Sequence, residues 1–280
     1  MKDFSFFIII ILAFVITAIL FLFWNPFLDL GLNLETFNDI QNQNQNQNQT
    51  QTQIPKVIHQ ILLSDKFNNL NFSQWMNTWS SDYIKMHPEF KYVLWNSEKI
   101  DKELNWTKDM RKIYELENEK GKSNIARLLI LYQYGGIFID ENAIYLKKNN
   151  NDLTRIIEKA ENQQTNFFAA REPNQNYLSN NVMGSTAGNK VLSFMLNKLE
   201  ELVEGYQEVR DKMNTDLITG NGLLTKADMY NYHITLIPEV IFYPSTRKWQ
   251  QHRHIPKKAY MYNFNHSKNI EKDYQNCLIK

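Results

Sequence analysis

Asp140 and Glu141 stand directly behind the apolar run Ile137-Phe138-Ile139. A carboxylate at the end of a buried strand costs free energy unless something pairs with it. In open α/β sheets that edge is where ligands bind, and carboxylate oxygens there suit hydroxyl groups and hard cations. The competing reading is an ordinary solvated Asp-Glu-Asn turn.

The neighbouring elements would have to position those acids. Ile125, Leu128, Leu129 and Tyr132 follow the spacing of one helix face, which predicts a helix over 123–134. Ser123 is the expected N-cap. Gly135 and Gly136 end the helix, because glycine enters the left-handed region without steric cost. The continuous apolar run 137–139 then reads as a strand buried on both faces.

The stretch from Lys122 to Leu146 resembles the sugar-binding DXD region of glycosyltransferase family 32, which includes yeast-type α-mannosyltransferases and inositolphosphorylceramide mannosyltransferases. Ser123, Arg127, Leu131, Tyr132, Tyr134, Gly135, Gly136 and Asp140 match the family pattern. Asn124 stands where the family has an acid, and Asn142 where it has the second Asp of DXD. The resemblance continues at Ile54–Gln60, at Asn180–Ser185 and at the Thr219-Gly220 turn, in family order. It implies an α/β fold: a GT-A-like, Rossmann-type nucleotide-sugar-binding domain.

Carried over by position, the resemblance makes Asp140 and Arg127 the catalytic pair, touching the sugar and phosphate of the donor. It adds Asn124, His59, Gln60 and Asn181 as donor contacts. It gives Asn142, Asp140 and His266 as ligands of Mn²⁺ or Mg²⁺. From the residues alone, His59 reads equally as a core-edge histidine satisfied by backbone. Asn142 has an amide oxygen for a hard cation but brings no charge, so metal affinity falls unless Glu141, His266 or another oxygen compensates.

The rest of the chain sets the context. Residues 4–23 are almost wholly apolar, long enough to span a bilayer as a helix. Lys2 precedes this run; Trp24 and then the acids Asp29, Glu35 and Asp39 follow it. That pattern predicts a cytosolic tip over 1–3, a single-pass signal anchor over 4–24 and the remainder in a lumen, with a cleaved signal peptide as the alternative. The Gln/Asn-rich stretch within 25–53 reads as a linker. Residues 54–280 suffice for one catalytic domain. A Golgi or endoplasmic reticulum lumen, or a viral equivalent, suits this arrangement. The net charge of +1 gives no reason to expect a nucleic-acid partner. Cys277 is the only cysteine, which excludes an intrachain disulfide.

Further along, Phe72 to Met86 reads as a helix whose Trp75 and Trp79 serve the core. Phe90 to Trp95 reads as a second strand, and 97–119 as charged helices with a solvated outer face. Strands are expected at 143–146, 166–170, 234–237 and 240–243, and helices at 151–162 and 188–204. Arg171 and Glu172 read as a solvated turn. His252 and His254, in a basic loop with Arg247, Lys248 and Arg253, read as basic surface or as a diphosphate or acidic-lipid contact.

Sugar transfer develops negative charge on a departing diphosphate, so the site needs a divalent cation or cationic side chains. The expected protein is a membrane-anchored, retaining glycosyltransferase moving a hexose from GDP-mannose or a UDP-hexose to a glycan or glycolipid. The alternative is a weakened pseudo-glycosyltransferase that binds glycan or supports a partner. An unrelated membrane-tethered interaction module is the third reading. Agreement at three separated segments speaks against it.

Overall fold

The computed structural model describes residues 53–63, 70–146, 153–172, 176–244 and 258–264. The anchor and nearly all of the linker, His252, His254, His266 and Cys277 lie outside the described residues. Among the described residues no helix is long and apolar enough to cross a membrane.

The chain opens with strand β1 (Val57–Ile61) and helix α1 (Leu70–Asn77). A π-helical turn (Thr78–Tyr83) and a last α-turn, α2 (Ile84–Met86), continue α1. Strand β2 (Lys91–Trp95) leads to helices α3 (Ser97–Glu103), α4 (Lys108–Leu116) and α5 (Glu119–Tyr134). Strands β3 (Gly136–Ile139) and β4 (Ala143–Tyr145) follow, then helix α6 (Thr154–Asn162) and strands β5 (Phe167–Arg171) and β6 (Leu178–Ser185). Helices α7 (Lys190–Glu200), α8 (Tyr206–Lys212), α9 (Thr215–Ile218) and α10 (Asn221–Met229) precede β7 (Thr235–Ile237), α11 (Glu239–Phe242) and β8 (Met261–Asn263).

Six strands form one mixed sheet in the order β2-β1-β3-β6-β5-β7. β1 runs parallel to β2 and β3, β5 runs parallel to β7, and β6 is antiparallel to both its neighbours. The carboxyl ends of β1, β3 and β5 therefore share one edge with the amino end of β6. β4 and β8 form a separate antiparallel pair.

β3 is the strand the apolar run predicts, with Ile137, Phe138 and Ile139 wholly buried. Ile137 and Ile139 face a core of Ile58, Trp79, Tyr83, Phe168 and Val182. Phe138 carries the guanidinium of Arg127, a residue of α5, over its ring at 4.3 Å, and α5 packs in turn on α7. Each such fully buried aromatic or aliphatic side chain stabilises the fold by roughly 1.5–3 kcal/mol.

The glycine pair has a steric cause. Gly135 and Gly136 have φ of 64° and 98°. A Cβ on Gly136 would lie 2.7 Å from the Val57 carbonyl oxygen and 2.8 Å from His59 Nε2. Any other residue here is strained and displaces β1.

Three expectations are corrected. α5 begins at Glu119, four residues before Ser123. Its N-cap is Asn118, whose Oδ1 accepts from Gly121 N at 3.0 Å, and an asparagine cap satisfies an orphan N–H as well as a serine does. Residues 239–242 form a helical turn rather than a strand. Tyr243 N donates to Glu239 O at 2.7 Å, and a short apolar run after proline carries no period that separates the two. The helix expected over 188–204 starts at Lys190, capped by Asn189 Oδ1 on Val191 N, and ends at Glu200.

The π-helical turn has no signal in the apolar spacing. Thr78 Oγ1 donates to Trp75 O at 2.6 Å and accepts from Tyr145 N at 2.9 Å, and Trp79 Nε1 donates to Ala143 O at 3.0 Å. The contacts to Tyr145 and Ala143 tie the helix to β4. The tryptophans do serve the core: Trp79 is fully buried and Trp75 stacks on Phe264 at 4.5 Å.

Candidate functional site

A cleft of about 1020 Å³ lies at the shared strand edge. One helix and one strand end make its floor. On α5, Ser123 and Arg127 are one turn apart and share a face. Arg127 Nη2 donates to Ser123 Oγ at 3.0 Å and Nη1 to the Asn180 carbonyl at 2.9 Å. Nη2 lies 3.8 Å from Asp140 Oδ2, with both side chains buried. Burial pushes the guanidinium below its ordinary value, while the carboxylates of Asp140, Glu141 and Asp216 act the other way. Arginine starts so high that it stays a cation.

Asp140 is 5% exposed, which excludes the solvated-turn reading. Its N–H donates to Asn181 O at 2.8 Å, and its carbonyl accepts from Gln60 Nε2 at 3.2 Å. Its Oδ1 accepts from the Asn142 backbone at 3.0 Å and from Asn142 Nδ2 at 2.9 Å. That turn redirects the chain from β3 into β4. An aspartate at 142 has no hydrogen to give Asp140 and would put two carboxylates in contact. Asparagine satisfies the same turn with no added charge.

Asn124, the other amide in an acid's place, is equally engaged. Its Nδ2 donates to Thr219 Oγ1 at 3.0 Å, and its Oδ1 accepts from Asn180 Nδ2 at 3.1 Å. A Cβ on Gly220 would lie 2.9 Å from Asn124 Nδ2, so the Thr219-Gly220 turn approaches this closely only as glycine. Asn221 extends the network: its Oδ1 accepts from Asn180 N at 2.8 Å and its Nδ2 donates to Glu172 Oε2 at 3.1 Å. Thr219, Asn124, Asn180, Asn221 and Glu172 thus form one hydrogen-bonded chain beneath the cleft.

The sequence reading missed Glu172 as part of the site. It expected a solvated turn, whereas Glu172 is 4% exposed and lines the cleft. The rule that singled out Asp140 would have found it, because Glu172 directly follows the carboxyl end of β5. Asn221, Asp216, Lys120 and Tyr177 were also missed as lining residues. Lys120 pairs with Asp216 at 2.5 Å.

Of the expected site residues, Asn124, Arg127, Asp140, Asn142 and Asn181 are brought together around the cleft. His59 and Gln60 are corrected: they sit inside the sheet and do not line it. His59 Nδ1 accepts from Trp95 Nε1 at 3.1 Å, and its Nε2 donates to Gly135 O at 3.0 Å. Burial holds its pKa down at about 4, so the ring is neutral. Gln60 donates to the Asp140 carbonyl and accepts from Tyr92 OH at 2.9 Å. It fixes the backbone of the site without facing the ligand space.

Asp140, Glu141 and Asn142 offer hard oxygen donors. Among the described residues, no three of His, Cys, Asp and Glu are grouped to hold a metal. That donor set fits a Mg²⁺-like ion, which takes one or two carboxylates and completes its shell with substrate phosphate and water. The cleft is otherwise acidic: Glu119, Asp140, Glu141, Glu172 and Asp216 face Lys120 and Arg127.

Comparison with known proteins bears on this geometry. Residues 73–163 match the family described as "Glycosyltransferase sugar-binding region containing DXD motif", a stretch that includes Asn124, Arg127, Asp140 and Asn142. The chain is 26% identical over 202 residues to inositol phosphoceramide mannosyltransferase 3 of Schizosaccharomyces pombe, covering 69% of this chain and 51% of that protein. It is 36% identical over 91 residues to mannosyl phosphorylinositol ceramide synthase CSH1 of Saccharomyces cerevisiae, covering 31% and 22%. The matched stretch thus spans about half of the first relative and less of the second. The solved "PaToxG Glycosyltransferase" aligns at a TM-score of 0.45 with 18% identity, over 64% of this chain and 70% of that one. The resemblance read from the DXD-like stretch is shown over residues 73–163, the part of the chain that matches this sugar-binding region.

Proposed function

We propose that this chain is a glycosyltransferase of GT-A type that moves a hexose from a nucleotide sugar to a hydroxyl of a glycan or glycolipid. The observation that carries this is the buried Arg127–Asp140 pair on the floor of the cleft, inside the matched sugar-binding region. Asp140 accepts hydrogen bonds from sugar hydroxyls. Arg127, itself buried, holds positive charge where the donor's phosphate acquires negative charge as the glycosidic bond breaks. The relatives' names favour mannose, hence GDP-mannose, as the donor, with a UDP-hexose as the alternative, and a glycolipid as the acceptor.

The acidic lining leaves a diphosphate short of positive charge, which a divalent cation held by Asp140, Glu141 and Asn142 would supply. Besides Arg127, the chain itself contributes Lys120 and the N-terminal turn of α5, whose N–H groups and helix dipole favour an anion. Retention at the anomeric carbon, with the acceptor's proton leaving on the departing phosphate, requires no side-chain nucleophile. The apolar residues 4–24 would tether the domain to a membrane on the lumenal side, behind the 25–53 linker.

One observation favours a binding-only second reading. Asn124 and Asn142, both in acids' places, are satisfied without a ligand. Release of nucleoside diphosphate from GDP-mannose and UDP-hexoses separates the two. The enzyme reading expects release in Mn²⁺ that Asp140→Asn reduces roughly 10- to 100-fold, the loss of one charged hydrogen bond or two. Nucleotide binding without release would leave the pseudo-transferase.

A further inference from the structure

Two residues that the Arg127–Asp140 floor does not use stand side by side on the cleft wall. Glu172 N donates to the Tyr177 carbonyl at 2.7 Å, one step beyond the Arg171–Leu178 pair of the β5–β6 ladder. Residues opposed across a ladder share a face, and both line the cleft. Glu172 is buried at 4% exposure, whereas Tyr177 is 38% exposed. A buried carboxylate and an exposed aromatic ring on one cleft wall are the two features that grip a polyol. The ring covers its C–H face, and the carboxylate accepts from a hydroxyl.

The sheet order says which substrate that is. Along the shared edge, β1, β3, β6 and β5 stand in sequence. The β1 end is apolar, with Ile61, Leu62 and Leu63 on the cleft, and suits a flat base. Asp140 ends β3, and Glu172 lies two strands further on, roughly 10 Å away at ordinary strand spacing. A donor with its base at β1 and its hexose at Asp140 leaves the β5 end for the second substrate. The Glu172 carboxylate is also tied to the donor wall. Asn221 holds it and holds Asn180, whose carbonyl holds Arg127.

We infer that Glu172 and Tyr177 form the acceptor subsite, with the ring seating a sugar or cyclitol and the carboxylate orienting its hydroxyl toward the donor. This rests on the glycosyltransferase reading. The test is saturation-transfer NMR on the full chain loaded with nucleoside diphosphate and Mn²⁺-free Mg²⁺ buffer. A panel of methyl hexosides with myo-inositol serves as the probe, and the nucleotide's thermal shift is recorded in parallel. The expected result is transfer to at least one probe in the wild type, reduced fivefold or more in Tyr177→Ala and Glu172→Gln. The nucleotide shift stays unchanged in both variants, and Glu172→Gln keeps an oxygen for Asn221. No transfer in the nucleotide-loaded wild type, or equal transfer in both variants, overturns the inference. So does loss of the nucleotide shift in Glu172→Gln, which would move Glu172 to the donor. Failure of the wild type to bind any nucleotide would instead remove the underlying reading.

Discussion

His59 and Arg127 are both basic side chains buried against the same sheet, at 2% and 3% exposure, yet they answer to different demands. His59 is closed in. Trp95 and Gly135 take both ring nitrogens, and burial keeps the ring neutral. Arg127 keeps its charge, faces a carboxylate at 3.8 Å and borders an open cleft. A buried polar group satisfied on every side is scaffold. One that remains charged beside ligand space is equipped for a charged substrate.

The largest expected effect breaks the Arg127 side. Arg127→Met leaves Asp140 buried without its cation and should cost about 3–5 kcal/mol in urea unfolding. It should also abolish nucleotide binding in the folded fraction. The His59 side breaks through pH. Its folded pKa of about 4 lies below the unfolded value near 6.5. Between those values the unfolded chain binds a proton that the folded chain refuses, so stability falls as pH drops from about 6.5 to about 4. The loss totals roughly 3 kcal/mol, with none contributed by this residue above pH 7. Urea titrations at pH 7 and pH 4.5 measure it, and the nucleotide affinity of the folded protein should not follow this slope.

Asp140→Asn keeps the Oδ1 that Asn142 bonds. It still removes the carboxylate facing the buried Arg127 guanidinium, so it should lose part of the stability that Arg127→Met loses, and about 1.5–3 kcal/mol of nucleotide-sugar affinity by calorimetry. Asn142→Asp is the smallest change. It loses the amide's bond to Asp140 and should destabilise the protein in chelator by about 1 kcal/mol. Mn²⁺ should restore that loss and bind more tightly than in the wild type, seen as a metal-dependent rise in melting temperature.

The same contrast explains what the sequence could show. Asp140 was legible because a continuous apolar run and a glycine pair announce a buried strand with an acid at its end. Arg127 was legible through its place in a long motif. His59 carried a motif too, but motif matching does not report which way a side chain faces from a strand. The Asn124–Asn180–Asn221–Glu172 network was hidden for another reason. Its partners are separated by 56, 41 and 49 residues, and only the closing of the sheet edge joins them. The turn at 239–242 and the π-helical turn at 78–83 escaped because tertiary contacts, not periodicity, decide them.

The most direct test of the central claim is the melting temperature of the protein with nucleoside diphosphates and nucleotide sugars, with and without Mn²⁺, in wild type and Asp140→Asn. At a hundredfold excess over Kd, binding adds about 2.7 kcal/mol, a rise of roughly 5–10 °C for a domain of this size. The account predicts such a rise for one nucleotide in the wild type and a much smaller one in Asp140→Asn. No rise with any nucleotide, in a protein that melts cooperatively, would contradict it.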